Sequence, residues 1–144
     1  MKIRAFRPED YSAARALWLA TEGVGLSPGD SEDEVHAFLA RNEGLSLVAH
    51  EGDGLVAAAL CGHDGRRGYI YHLAVAPSHR RHGLGRALVA RCLDGLAAAG
   101  IRRGQVSVFA TNALAHQFWS SVGGQQRSDL VVFSIPLGLA ARSG

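Results

Sequence analysis

The chain has 144 residues, of which 47% are hydrophobic and 19% charged, a size and composition that fit one domain over residues 1–144 with a sizeable core. A formal net charge of +2 is too small to favour nucleic acid, no apolar run is long enough to span a membrane, and the first residues lack a secretory signal, so we expect a cytoplasmic protein. The only cysteines, Cys61 and Cys92, lack metal-ligand spacing, which gives little support for a zinc site or a disulfide framework.

The first half of the chain has the pattern of a strand, two helices and an antiparallel meander. Residues 2–7 alternate apolar with basic residues and predict an edge strand, and the apolar stripe that follows predicts a helix ending near Gly23. After a Gly-rich loop, Ser31 and Glu34 have the spacing of a capping box and predict a second helix. Turn-forming glycines then separate three predicted strands, roughly Leu45–Glu51, Leu55–His63 and Gly68–Ala76.

The second half of the chain alternates helices with strands. Apolar residues at helical spacing predict a helix from Leu84 to about Ala99 and another over Asn112–Val122. Two further strands are predicted at Gln105–Ala110 and Leu130–Pro136. The order β-α-α-β-β-β-α-β-α-β indicates the α/β class with a mixed sheet, in which the strand–helix–strand crossover is parallel.

Charge is distributed unevenly along the sequence. Residues 1–64 hold 5 basic and 11 acidic residues, whereas residues 65–144 hold 10 basic and 2 acidic residues. The basic half suits an anionic ligand and the acidic half a cationic one, unless the two halves interleave in space.

The most informative segment is Leu73–Leu88, which places two glycines and a cluster of Arg and His between a strand end and a helix start. Glycine lets the backbone approach a ligand closely, and the first N–H groups of a helix point at an anion. The segment therefore predicts a phosphate-binding loop. It has neither the Gly-Lys-Ser/Thr of a P-loop nor a third glycine in dinucleotide register.

This segment resembles the acetyl-CoA signature of the GNAT superfamily of N-acetyltransferases, Arg/Gln-x-x-Gly-x-Gly/Ala, which reads Arg80-Arg81-His82-Gly83-Leu84-Gly85 here. Leu73–Pro77 is similar to the strand before that signature. A later Asn-x-x-Ala-x-x-Phe-Tyr motif of the family is matched by Asn112, Ala115 and Phe118. The resemblance covers nearly the whole chain and implies a GNAT fold, whose splayed central strands admit the pantetheine arm of acetyl-CoA.

The resemblance also implies which residues bind acetyl-CoA. The backbone of Leu73 and Val75 is expected to pair with the pantetheine amides, and Asn112 to reach the pantetheine from the last helix. Phe118 and Trp119 would flank the thiol end, although a place in the core is the favoured alternative for Phe118. The full expected set is Leu73, Ala74, Val75, Arg80, Arg81, His82, Gly83, Leu84, Gly85, Arg86, Asn112, Phe118 and Trp119.

Acetyl transfer to an amine needs a donor for the developing oxyanion, a base for the amine and, optionally, an acid for the leaving thiolate. By resemblance, the N–H of Leu73 is the oxyanion donor. Many family members use a tyrosine acid where this chain has Trp119, whose indole cannot supply a proton at neutral pH. Ribosomal-protein acetyltransferases of the family use a glutamate at the position where this chain has Ser107. This difference argues against the same mode of substrate binding.

Tyr71 and His72 are the candidate general bases because they directly precede Leu73. Strand alternation predicts that His72 faces away from Tyr71 and Leu73, so a structural histidine or a proton relay through water is the alternative. Three more polar residues are placed near them by the sequence: Tyr69, His63 and Asp64.

The acceptor is the least determined part of the sequence-based interpretation. Five acidic residues lie in or beside the two helices and the loop expected to cover the acceptor site: Glu22, Asp30, Glu32, Asp33 and Glu34. Their charges either select a cationic amine or only stabilise the N-terminus of a helix. The polar hairpin Gly62–Gly68 could contact substrate or a second copy in a homodimer, or be a solvated tip. A metabolite, a peptide N-terminus and a lysine all remain open as small-molecule or peptide amine acceptors.

We therefore expect an acetyl-CoA-dependent N-acetyltransferase that acts on a primary amine by direct attack on the thioester. The alternative is an acyl-CoA-binding regulatory module of weak catalytic activity, suggested by Trp119 and Ser107. A nucleic-acid binder is not favoured, because the basic residues are not interleaved with aromatic ones.

Overall fold

The computed structural model of the chain describes residues 1–138 and holds one five-stranded mixed sheet. The strands lie side by side in chain order: β1 (Lys2–Ala5), β2 (Leu47–Glu51), β3 (Gly54–His63), β4 (Gly68–Val75) and β5 (Gly104–Gln105). The first four strands are antiparallel to their neighbours, whereas β4 and β5 are parallel. The described residues form four α-helices: α1 (Tyr11–Ala20) and α2 (Glu32–Arg41) lie between β1 and β2, α3 (Leu84–Ala98) lies between β4 and β5, and α4 (Ala113–Ser121) follows β5.

The helices cover both faces of the sheet, because alternate residues of each strand point to opposite sides. Along β3, Ala58 and Leu60 pack with Trp18 of α1 and Val35 of α2, while Cys61 packs on the other face with α3. We call these the α1–α2 face and the α3 face. None of the helices in the described part of the chain is both long and apolar enough to span a bilayer.

Most of the elements predicted from the sequence are present. The α/β class, the antiparallel meander and the parallel β4–α3–β5 crossover are confirmed. Ser31 is the N-cap of α2, with its Oγ accepting a hydrogen bond of 3.3 Å from the N–H of Glu34. A short 3₁₀ turn, Pro28–Asp30, interrupts the loop between α1 and α2.

The two last predicted strands are corrected by the structure. The strand expected at Gln105–Ala110 is reduced to Gly104–Gln105, and no strand forms at Leu130–Pro136. In the latter segment Val132 is 87% exposed. A run of residues with high β-propensity does not by itself provide a neighbouring strand. A strand is stabilised mainly by the side chains of the strands it pairs with and packs against.

One ion pair ties β1 to the start of α1. Arg4 donates two hydrogen bonds of 2.8 Å to the carboxylate of Asp10, which also accepts from the N–H of Arg7 at 2.8 Å. Asp10 is only 8% exposed. The hydrogen bond from Arg4 holds the pKa of Asp10 below its ordinary value.

Asp10→Asn should lower the free energy of unfolding by about 2 kcal/mol at pH 7, because it removes the charge that pairs with Arg4. A carboxyl whose folded pKa is depressed stabilises the fold above its ordinary pKa and loses that contribution as the pH falls through the folded value. The difference in the free energy of unfolding between wild type and variant, measured with urea, should therefore shrink below about pH 4. Asp33→Asn, at an exposed position, is the matched control, and a gap that is the same at pH 7 and pH 3 would contradict this account.

Candidate active site

The loop between β4 and α3 presents backbone donors at a helix start. Gly83 is the N-cap of α3 with φ at +79°, a conformation that favours glycine. The first bond within the helix runs from the N–H of Ala87 to the carbonyl of Gly83 at 2.9 Å. The N–H groups of Leu84, Gly85 and Arg86 therefore have no acceptor in the helix and suit an anion.

Basic side chains surround this helix start. Arg80, Arg81 and His82 are exposed, and Arg86 is held by Ser121 through two hydrogen bonds of 3.3 Å. The side chain of Leu84 is buried in the core, so only its backbone is available to a ligand. The loop therefore concentrates positive charge beside the free N–H groups.

Gly85 leaves space at the same helix start. A Cβ built on it would lie 3.5 Å from Phe118 and 3.7 Å from Val75, which are ordinary van der Waals contacts. Packing within the protein therefore does not require glycine here. The missing side chain keeps the first helical turn open to a ligand.

Most of β4 has an open edge toward β5. The two strands pair only at Gly68 with Gly104 and at Tyr69 with Gln105. At the far end of β4, the N–H of Ala76 bonds to the carbonyl of Val56 in β3 at 2.8 Å, so antiparallel alternation directs the backbone groups of Leu73 and Val75 to the open edge. The side chain of Ala74, by contrast, is buried on the α1–α2 face. The open edge fits a ligand that carries amide groups.

Arg80 lies across part of this open edge. Its Nε donates a hydrogen bond of 2.9 Å to the carbonyl oxygen of Val75. That carbonyl is one of the groups expected to pair with a bound amide. A ligand amide that takes the same position on this carbonyl would displace the guanidinium of Arg80.

A β-bulge interrupts β4 at His72. Leu60 pairs with Tyr71 and Ala58 with Ala74, so one residue of β3 lies opposite two residues of β4. The φ of His72 is +54°. The predicted alternation is therefore wrong between Tyr71 and His72, whereas His72 faces away from Leu73 as expected.

The bulge places Tyr71 and His72 on the same face of the sheet. The ring of Tyr71 contacts Phe38 of α2 edge-on at 6.0 Å between centroids, and the ring of His72 lies 5.2 Å from Trp18 of α1. Leu73 packs on the α3 face. Two consecutive polar side chains therefore stand on the α1–α2 face immediately before the Leu73 amide.

His72 is held by a carboxylate and an indole. Its Nε2 lies 2.8 Å from Oδ1 of Asp30, and its carbonyl accepts a hydrogen bond of 2.8 Å from Nε1 of Trp18. Asp30 is itself fixed, because its Oδ2 accepts from the N–H of Ser27 at 2.9 Å and its carbonyl from the hydroxyl of Tyr11 at 2.6 Å. The acidic cluster in the sequence included Asp30 but gave no signal for this contact across 42 positions.

The two tyrosines of β4 form a stacked pair. Their ring centroids are 6.0 Å apart and the planes differ by 11°. Burial, followed by the charges of Tyr69 and Asp64, raises the pKa of Tyr71 above its usual value. Tyr71 therefore keeps its proton at neutral pH, which suits a hydrogen-bond donor better than a base.

His63 and Asp64 fold the β3–β4 turn. Backbone hydrogen bonds from Arg67 and Arg66, both 2.8 Å, reach Oδ1 of Asp64 and lower its pKa. Nδ1 of His63 accepts from the N–H of Gly65 at 3.0 Å. Both side chains are thus engaged in the turn itself.

The loop between α1 and α2 packs against the chain that leads into α4. Asn112 caps α4 through a 3.0 Å hydrogen bond from the N–H of Ala115 to its Oδ1. Its Nδ2 occupies the place that a Cβ on Gly23 would take, and the ring of Phe109 lies 3.0 Å from the corresponding point on Gly25. The side chain of Asn112, expected to reach the pantetheine, therefore caps its helix and contacts this loop.

Phe118 and Trp119 form an aromatic pair on α4. Their rings meet edge-on at 5.2 Å. Both are half-buried and pack against the core of the α3 face, beside Val75 and the other partly buried residues there. This packing agrees with the expectation that Phe118 is a core residue. Part of each ring stays accessible.

Comparison with known proteins decides the family. Residues 11–123 match the model of the acetyltransferase (GNAT) family. The chain is a member of the GNAT family. The acetyltransferase plu1384 of Photorhabdus laumondii is 37% identical to this GNAT chain over 101 residues, which is 69% of each protein.

Solved structures share the GNAT fold of the chain. An aminoglycoside 6'-N-acetyltransferase from Acinetobacter haemolyticus has a TM-score of 0.75 and 20% identity, over 95% of this chain and 99% of that one. Rv2747 from Mycobacterium tuberculosis, solved in complex with CoA and NLQ, has a TM-score of 0.64 and 23% identity, over 82% of this chain and 70% of that one. At these identities the likeness establishes the fold.

Proposed function

We propose that this GNAT protein transfers the acetyl group of acetyl-CoA to a primary amine by direct attack of the amine on the thioester. The observation that carries the proposal is the open edge of β4, which runs from the free N–H groups of α3 to the bulge at His72. The α3 start fits a pyrophosphate and the open edge fits the amides of pantetheine. The CoA complex of Rv2747 supports acetyl-CoA as the donor.

The proposed reaction forms a C–N bond and breaks the C–S bond of the thioester. The N–H of Leu73 donates to the carbonyl oxygen as negative charge develops on it. With Nε2 of His72 bonded to Asp30, Nδ1 is the nitrogen that takes the proton from the amine, and the carboxylate of Asp30 stabilises the resulting cation.

The leaving thiolate needs no protein acid in this scheme. A thiol with a pKa near ~8.5 is a fair leaving group, and the thiolate takes up its proton from solvent. Trp119 then acts as a wall beside the thioester. The non-catalytic acyl-CoA-binding module is the less favoured alternative, because a His–carboxylate pair beside the Leu73 amide has an evident use in the reaction.

Thiol release from acetyl-CoA, measured with a panel of primary amines, tests the proposal. We expect release that depends on at least one amine, because the free base form of the amine is the attacking species. Acetyl-CoA without amine is the control for hydrolysis. Tight CoA binding without turnover on any amine would instead favour the regulatory module.

A further inference from the structure

A second cluster of basic side chains lies at the opposite end of β4 from the phosphate-binding loop. It lines an open cavity of about 570 Å³, formed by Arg67, Tyr69, Arg103, Gln105, Arg127 and Leu130. The short β4–β5 pairing brings two of these arginines together, because the N–H of Gly68 donates to the carbonyl of Arg103 at 2.9 Å. Residues from the β3–β4 turn, β5 and the segment after α4 thus meet in one cavity.

Within the part of the chain that the structure describes, two of the three guanidinium groups have no carboxylate partner. Asp129 pairs with Arg127 through hydrogen bonds of 3.0 and 2.9 Å. Across residues 1–138, no ion pair involves Arg67 or Arg103. The nearby carboxylate of Asp64 is engaged by backbone N–H groups of the turn. Two guanidinium groups that line one cavity together with a hydroxyl and an amide are donors that suit a carboxylate or a phosphate.

The cavity lies on the acceptor side of the proposed site. Tyr69 lines it and stacks on Tyr71, which directly precedes His72. A strand rises about 3.3 Å per residue and the bulge adds one residue without adding length, so Tyr69 lies about 10 Å along β4 from Leu73. The loop that suits the pyrophosphate of CoA follows the other end of the strand, beyond Val75. The anion that fits this cavity is therefore not the pyrophosphate of CoA.

We propose that Arg67 and Arg103, with Tyr69 and Gln105, bind an anionic group of the acceptor, a carboxylate or a phosphate. This inference rests on the proposed acetyl transfer and names its substrate class: an extended molecule with a primary amine at the Leu73 amide and an anion several ångströms away. The acidic residues Glu32, Asp33 and Glu34 are exposed in the first turn of α2, where their charges favour the helix itself.

Matched peptides test the inference. Oligoalanines of two to four residues span about 7–14 Å when extended, and each is assayed as the free acid and as the C-terminal amide, which leaves the amine unchanged. A third form, with phosphoserine as the last residue of the amide, separates phosphate from carboxylate. We expect at least one length to show a kcat/KM about tenfold or more higher for an anionic form than for the neutral amide.

The double variant R67Q/R103Q should reduce that preference to within about twofold, whereas R66Q/R102Q should keep it. Both variants lose two positive charges from the same turn and the same strand start, and Arg66 and Arg102 do not line the cavity. Calorimetric titration of the peptides reads binding independently of turnover. Equal binding and turnover of acid, phosphate and amide forms would overturn the inference, even if other amines are acetylated. If no amine in any panel is acetylated, the proposed function fails, and calorimetric discrimination between anionic and neutral peptides still decides the inference.

Discussion

Replacing Gly85 by Glu should weaken CoA binding by about 100-fold or more without unfolding the protein. The new carboxylate would stand at the second position of α3, where it covers the free N–H groups and repels a pyrophosphate. The same charge is favourable for the helix itself, and a Cβ at this position meets only ordinary contacts. Calorimetric titration with CoA measures the loss, and thermal unfolding measures the stability.

The neutral variant Gly85→Gln is the matched control for this experiment. It has the same size as Glu but no charge, so it separates the effect of filling space from the effect of charge. Gly83 is a poorer choice for such a test, because its φ of +79° makes any larger residue strained. If a folded Gly85→Glu protein bound CoA with unchanged affinity, the assignment of the pyrophosphate to this loop would be wrong.

Replacing His72 by Asn should lower kcat by about 100-fold or more, because a general base contributes at least that much to such reactions. Asn is chosen because it tolerates the left-handed backbone that the bulge requires at this residue. The pH profile of kcat/KM should also change. The ionisation of the acceptor amine affects wild type and variant alike, so only the difference between their two profiles reports on His72.

Three comparisons separate catalysis by His72 from a structural role. Asp30→Asn keeps a hydrogen-bonding side chain but removes the charge, so its kcat should lie between those of wild type and the His72 variant. CoA affinity should stay unchanged in both. His36→Asn, at a partly exposed histidine of α2, is the control for loss of an imidazole. A His72→Asn enzyme with normal kcat and a normal pH profile would show that His72 only joins β4 to the α1–α2 loop.

The loop between β4 and α3 was predictable because its signals are local. Glycines, a proline and basic residues within one short segment define where a strand ends and where a helix begins. The cap at Ser31 is equally local, since it depends on residues three positions apart. Both features depend on neighbours in sequence, and both boundaries agree with the structure.

Features that depend on distant pairing could not be predicted in the same way. The bulge at His72 exists because β3 pairs with both ends of β4 in registers that differ by one residue, and alternation within one strand contains no trace of that. The contact with Asp30 joins residues 42 positions apart. The three arginines that line the cavity come from three separate parts of the chain, and the sequence pattern indicated only the polar hairpin that contains Arg67.

The alternation of side chains along β4 does not depend on His72, the extra residue of the bulge. If residue 72 is skipped, the remaining side chains alternate without a break: Ile70, Leu73 and Val75 on the α3 face, and Tyr71 and Ala74 on the α1–α2 face. A chain lacking His72 would therefore keep every core residue on its own side and gain a straighter, regular strand. If any other single residue of β4 were deleted and the bulge stayed in place, the side chains of part of the strand would move to the opposite face of the sheet. The alternation of the core side chains thus does not depend on residue 72, whose carbonyl accepts the indole N–H of Trp18 and whose side chain is available for the chemistry.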